Sequence, residues 1–162
     1  MAVHVVQALV SMNIGGSELV ATELAEFLTT NGHRVTVIAA DGPIGDRVRA
    51  CGAQHLDWPI GKKRFSTLRL IKPLAEWFAR ERPDIVHVHS RFPAWICWRA
   101  LRRVDADVRP AFLTTMHGHY SVSAYSSIMA RGQRTIAVSE HIRRYTLANY
   151  PSAAPEDIVT VH

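Results

Sequence analysis

Positions 3–10, VHVVQALV, are apolar except for His4 and Gln7. A near-continuous run of this kind predicts a strand buried on both faces rather than one facing water. Val20, Leu24, Phe27 and Leu28 then recur at helical spacing, with Ser17 a candidate cap, Glu18 suited to the positive end of the helix, and Asn31-Gly32 a stop signal. RVTVIA at 34–39 predicts a second strand. Strand, helix and strand in this order form a right-handed crossover unit, and the two strands are therefore parallel.

The alternation continues to the end of the sequence. A short helix is expected near 46–50, a short strand at 54–58, and a loop at 59–64. Leu68, Ile71, Leu74, Trp77 and Phe78 mark an amphipathic helix, which Pro73 either kinks or begins. Further strands are predicted at 85–89 (IVHVH), 111–116 (AFLTTM), 134–138 (RTIAV) and 158–161, with helices from near Pro93, around 124–130, and from Ser139-Glu140 to about Asn149. No repeat, linker or low-complexity tract interrupts the pattern. It predicts one α/β domain over 1–162, Rossmann-like, with an open and mostly parallel sheet covered by helices on both faces. Ligands of such sheets bind beyond the carboxyl ends of the strands.

Composition narrows the partners. With 162 residues, 48% of them apolar, the chain can build a full core. Nineteen basic against fourteen acidic residues leave +5, which tolerates an anionic partner without demanding nucleic acid, and none is expected. Cys51 and Cys97 are too few for a disulfide framework, so a cytoplasmic location is expected. The first strand lacks the basic flank and cleavage site of a signal peptide, and no apolar run is long enough to span a bilayer.

The candidate chemistry lies at the predicted strand ends. Gly15 and Gly16 stand where strand turns to helix, so backbone amides can approach a phosphate or diphosphate there; a tight turn is the alternative. The spacing is neither GxGxxG nor GxxxxGK[ST], which leaves a nicotinamide oxidoreductase the weakest reading and Asp41 a weak ribose ligand. After the fourth strand come His89 and Arg91, and after the fifth His117, His119 and Tyr120. His117 could act as acid, base or neutral hydrogen-bonding partner, with His119 its competitor. His87 and His89 share a face of their strand; His87 reads as structural, while His89 could reach the cleft. Ser139 and Glu140 open a helix at the same rim, as an anion site or as local capping. Lys62, Lys63 and Arg64, set among Trp58, Ile60 and Phe65, suit an anionic membrane surface or anionic acceptor; a solvated loop is the alternative. No histidine spacing matches a metal site, and no metal is expected.

Four segments in this order, NIGGSELVATELAEFLTTNGHRVTVIA, RPDIVHVHS, FLTTMHGHY and RTIAVSEHIRRYTLANY, resemble the N-terminal half of a GT-B glycosyltransferase of family 4. Members similar to this chain often act in bacterial cell-envelope or lipopolysaccharide synthesis. The resemblance implies an acceptor-side domain, a retaining transfer from a nucleotide-sugar to a glycan or glycolipid, and no cofactor beyond that co-substrate. By the same resemblance Gly15 and Gly16 match the loop nearing the donor diphosphate, and His117 the histidine beside the transferred sugar. His89 then matches the end of the HxH strand, and Ser139 and Glu140 the segment before the interdomain region. The donor-binding C-terminal domain of the family, with its basic pair and paired glutamates, has no counterpart in the sequence, so a fragment inactive by itself is expected. A sugar-nucleotide epimerase of the same two-domain shape, or a non-catalytic domain binding an anionic glycan or a partner, are the competing readings.

Overall fold

In the computed structural model, which describes residues 1–161, the first apolar run forms β1 (His4–Ser11) at the heart of a sheet. β2 (Arg34–Ala40), β3 (Gln54–Asp57), β4 (Ile85–Val88), β5 (Ala111–Met116), β6 (Arg134–Ala137) and β7 (Ile158–Thr160) complete it. The order is β3-β2-β1-β4-β5-β6-β7, and each neighbouring pair runs parallel. The chain first winds outward from β1 to β3, then returns to β4 on the other side of β1. That reversal is the topological switch point at which α/β sheets open a crevice.

Helices α1 (Gly16–Thr30), α2 (Gly45–Ala50), α3 (Ile71–Glu81), α4 (Arg91–Leu101) and α5 (Glu140–Asn149) cover both faces. Alternate residues of β1 serve different faces. Leu9 packs with Ala21 and Ala25 of α1, whereas Val6 and Ala8 join the larger core with Leu74, Phe78, Ile96 and Cys97 of α3 and α4. The buried residues of α1 are small, Ala21, Thr22 and Ala25. The inward side chains opposite them include Gln7, which shares the Leu9 face.

Two local expectations change, at Ser17 and around 124–130, and two prolines fall near helix starts as expected. Ser17 does not cap α1: Gly15 holds that position with no side-chain bond, and the Ser17 hydroxyl donates to Glu18 Oε2 at 2.7 Å. Pro73 is the third residue of α3, preceded by a 3₁₀ segment over Phe65–Leu70, so it sits in the first turn where its missing N–H costs nothing. Pro93 likewise lies inside the first turn of α4, which starts at Arg91 after the extended Ser90. The helix expected around 124–130 is a 3₁₀ turn over Ser126–Ala130. Gly32, at φ 79°, is the left-handed residue after α1, as its position predicts.

The loop after β3 is pressed onto β1. A Cβ on Gly61 would stand 2.5 Å from Val10 Cα and 2.7 Å from its Cγ1. Gly61→Ala is therefore expected to destabilise the domain by about 1–3 kcal/mol. Urea denaturation would report a lower midpoint at unchanged slope; an unchanged midpoint would show that this loop can lift off β1 freely.

Candidate functional site

Because all strands run one way, the loops after β1, β4, β5 and β6 emerge at one rim. Gly15 is extended, at φ −163° and ψ 166°, so its backbone imposes no need for glycine. A Cβ there would lie 2.5 Å from Glu18 Oε2, the mobile end of a side chain that can turn aside. Gly16 differs, since a Cβ would meet nothing within 4 Å. The amides at the start of α1 have no intrahelical acceptors and face this open space. Helix start, missing side chain and vacant volume together make a place where an anion can approach backbone N–H groups.

His117 stands just past β5. Its Nε2 lies 3.1 Å from His89 Nδ1, and His89 Nε2 lies 2.6 Å from Gln7 Oε1. His89 is only 1% exposed, so it meets the rim through His117 and not by its own edge. His87 is buried beside it and pairs with Thr115 Oγ1 at 2.6 Å. Burial lowers the basicity of all three imidazoles. His87 is pushed down to about 4. His89 is held well below the ordinary value by burial, then by the charges of its two histidine neighbours. His117 is lowered by burial, with the negative charge of Glu18 opposing the shift. At neutral pH the rim thus presents an uncharged His117.

The other rim residues sort into two groups. His119 is exposed and pairs with His141 Nε2 at 2.9 Å, its ring edge-on to Tyr145. The Tyr145 hydroxyl donates to the Tyr120 carbonyl, fixing this loop over α5. Ser139 is a true N-cap, accepting from Ile142 N at 3.2 Å. Glu140 accepts from Thr160 Oγ1 at 2.9 Å and pairs with Arg143 at 3.5 Å, so its charge is locally engaged. Asp41, at the end of β2, accepts from the Gly42 amide and faces Arg49 and His55.

The second group borders a groove. Arg91 lies 4.8 Å from the Tyr120 ring and 5.4 Å from the Tyr125 ring, and donates to Ser126 Oγ at 3.2 Å. Lys63 Nζ stands 5.5 Å from the centre of the Tyr125 ring. Three adjoining hollows of about 330, 410 and 330 Å³ share Phe92 and Tyr125. Their walls carry Phe65, Leu68 and Trp95 together with Lys63, Arg64, Arg91, Arg99 and Arg131, and no carboxylate. Among the described residues none of these five cations is in an ion pair. Lys62 lies outside these hollows, on a neighbouring one with Pro59 and Arg64. The sequence points to the basic run but not to Phe92, Trp95 or Tyr125, which arrive from α4 and the loop after β5. Gln7 and His141 also escape the motif reading, although a polar residue amid VHVVQALV is itself a signal. Among the described residues no cluster of three or more His, Cys, Asp or Glu is placed to hold a metal ion. No helix among them is long and apolar enough to cross a membrane.

The buried imidazoles have a measurable consequence for stability. Each binds a proton near 6.5 when unfolded but only at lower pH when folded, so the unfolded chain holds more protons across that window and stability falls with acidity. His87 alone should remove roughly 3 kcal/mol between the unfolded value and about 4. Denaturant titrations at stepped pH should show this acid limb in the native chain and a shallower one in His87→Gln. Equal slopes would mean that His87 is not held neutral by burial.

Comparison with known proteins bears on the family and the fold. Glycosyltransferase Family 4 matches residues 14–162. The chain is 29% identical over 113 residues to N-acetyl-alpha-D-glucosaminyl L-malate synthase of Bacillus anthracis, covering 65% of this chain and 29% of that protein. A glycosyltransferase from Rickettsia africae ESF-5 superposes with a TM-score of 0.82 at 27% identity, over 99% of this chain and 43% of that one. HepE of Anabaena, solved with UDP and glucose, shares the fold at a TM-score of 0.74 and 15% identity, over 99% of this chain and 44% of that one. The chain thus spans less than half the length of each of these relatives. With the family matched over nearly all its length, and with a fold that is the N-terminal half of a GT-B architecture, the chain belongs to Glycosyltransferase Family 4.

Proposed function

We propose that residues 1–162 are the acceptor-side half of a retaining, metal-independent glycosyltransferase. The donor domain of such an enzyme lies outside these residues. In the two-domain protein a sugar passes from a nucleotide-sugar to a hydroxyl of a glycan or glycolipid. The observation that carries the reading is the meeting, at one rim of the parallel sheet, of an open glycine-flanked helix start and the imidazole of His117 beyond β5. The diphosphate of the donor lies against the amides at Gly15 and Gly16. The transferred sugar lies beside His117. The acceptor hydroxyl bonds to the anomeric carbon as the bond to diphosphate breaks, and its proton passes to the departing diphosphate oxygen. This arrangement needs donors on both sides of a drained cleft, so residues 1–162 by themselves are expected to turn over negligibly.

The groove supports the acceptor side of the proposal. Aromatic walls and unneutralised cations suit an acceptor with an apolar body and an anionic group, such as a glycolipid held at the cytoplasmic face of the inner membrane. Phe65 is 94% exposed and borders Lys63 and Arg64, so the same edge suits peripheral contact with an anionic bilayer. Arg91 and Tyr120 line this groove, whereas His119 packs against His141 and Tyr145. A lipopolysaccharide-type acceptor would satisfy these features.

Two substitutions test the reading in the two-domain protein. His117→Ala should lower kcat/KM by about 10²–10⁴, the range for a positioned proton or electrostatic group; a loss within about threefold would remove His117 from the reaction. Gly16→Ala has room in the fold and a better helix former in place, so stability should hold. UDP binding by calorimetry should nevertheless weaken at least about tenfold, because the methyl occupies the space assigned to phosphate. Undiminished UDP affinity would move the diphosphate elsewhere.

A further inference from the structure

The face of β1 turned toward α1 carries a polar residue at its centre. Gln7 is fully buried, and its carboxamide oxygen meets His89 Nε2 at 2.6 Å. The carboxamide nitrogen has no acceptor among the described residues. An unmet donor in the interior costs stability, and methionine or leucine at this place would avoid that cost. Val5 and Leu9, the neighbours of Gln7 on that face, are apolar and buried. The carboxamide therefore needs a reason other than packing.

Its bonding supplies one. A carboxamide oxygen only accepts, so His89 Nε2 must carry the proton it donates. A neutral imidazole has one N–H, and burial keeps His89 neutral. His89 Nδ1 is then a lone pair, and the group 3.1 Å away, His117 Nε2, must be the donor. His117 is also neutral at physiological pH, so its remaining nitrogen, Nδ1, is unprotonated. Among the described residues Nδ1 has no hydrogen-bond partner, and it is not among the buried unpartnered atoms, so it is open to the rim.

We propose that Gln7 is a positioning residue that fixes, through His89, which nitrogen of His117 bears the proton, so that the rim is offered an acceptor and not a donor. The chain Gln7–His89–His117 crosses from β1 over the end of β4 to the end of β5; the register sets Gln7 beside His87, and His89 reaches Gln7 and His117 from just past β4. The assignment rests on the reading of His117 as the imidazole beside the sugar: His117 takes a hydrogen bond from a sugar hydroxyl and cannot serve as a general acid. The proton arrangement itself does not depend on any reaction.

The tautomers can be read in the 162-residue chain without donor or acceptor. Long-range proton–nitrogen correlation on the ¹⁵N-labelled protein at pH near 7.5 separates protonated from unprotonated ring nitrogens. The expected pattern has protonated Nε2 and unprotonated Nδ1 in both His89 and His117. Gln7→Glu sets a carboxylate against His89 and should instead protonate both of its ring nitrogens. Gln7→Met removes the accepting oxygen and should move both histidines to intermediate, exchange-averaged shifts. A protonated Nδ1 on His117 in the native protein would overturn the proposal, as would a Gln7→Met spectrum unchanged from native. Should Gln7→Met fail to fold, the native spectrum still decides, because any other arrangement of ring protons on His89 and His117 contradicts the relay. A native pattern as expected in a protein whose two-domain form lacks transferase activity would leave the relay standing and remove only its catalytic use.

Discussion

Everything at the rim depends on one constraint, the parallel pairing of every strand with its neighbours. A parallel strand cannot return through a tight hairpin, so each connection must cross a face of the sheet, and the crossover is right-handed. Seven strands laid down in this way finish at a common edge. The reversal after β3 puts β4 beside β1, and β5 comes next. Gly15, His89 and His117 are far apart in sequence, yet they lie just past the ends of three adjacent strands. No single contact creates the site; the sheet order does.

The polar layer beneath that edge is the costly part of the design. Gln7, His87 and His89 replace apolar side chains in the interior opposite the small residues of α1. Burial keeps the imidazoles uncharged, and their partners Thr115, Gln7 and His117 satisfy most of their ring nitrogens. A charged rim histidine would compete with the cations of the groove for an anionic ligand. On the proposed reading an uncharged one would leave anion recognition to Arg91, Lys63 and the amides of α1, and would be free to address hydroxyl groups.

How far the sequence reveals this differs from residue to residue. The strand ends are legible because apolar runs stop abruptly at Ser11, His89 and His117, and the crevice rule then marks the loops beyond them. The paired glycines stand out as a place where a ligand can approach the backbone closely; neither adopts a left-handed conformation, and a Cβ on Gly16 would meet open space. Same-face parity of His87 and His89 can be read from two-residue spacing, but not that this face lies against α1, so the burial of His89 emerges only with three dimensions. The basic run at 62–64 is conspicuous in composition. Its aromatic partners Phe92, Trp95 and Tyr125 belong to other elements, and only Lys63 and Arg64 of the run line the groove beside them. Cap positions shift by a residue or two, as at Ser17 and Pro93, because the end of a helix is set by local hydrogen bonding that composition signals only loosely.

The central claim is that the paired-glycine turn and the His117 turn serve one bound molecule. A crystal structure of the two-domain protein with an intact or non-hydrolysable nucleotide-sugar would test it most directly. The account predicts diphosphate oxygens within hydrogen-bonding distance of the backbone amides at the start of α1, with a hydroxyl of the sugar against His117 Nδ1. A donor lying along α5, or one whose diphosphate leaves Gly16 exposed to solvent, would contradict it.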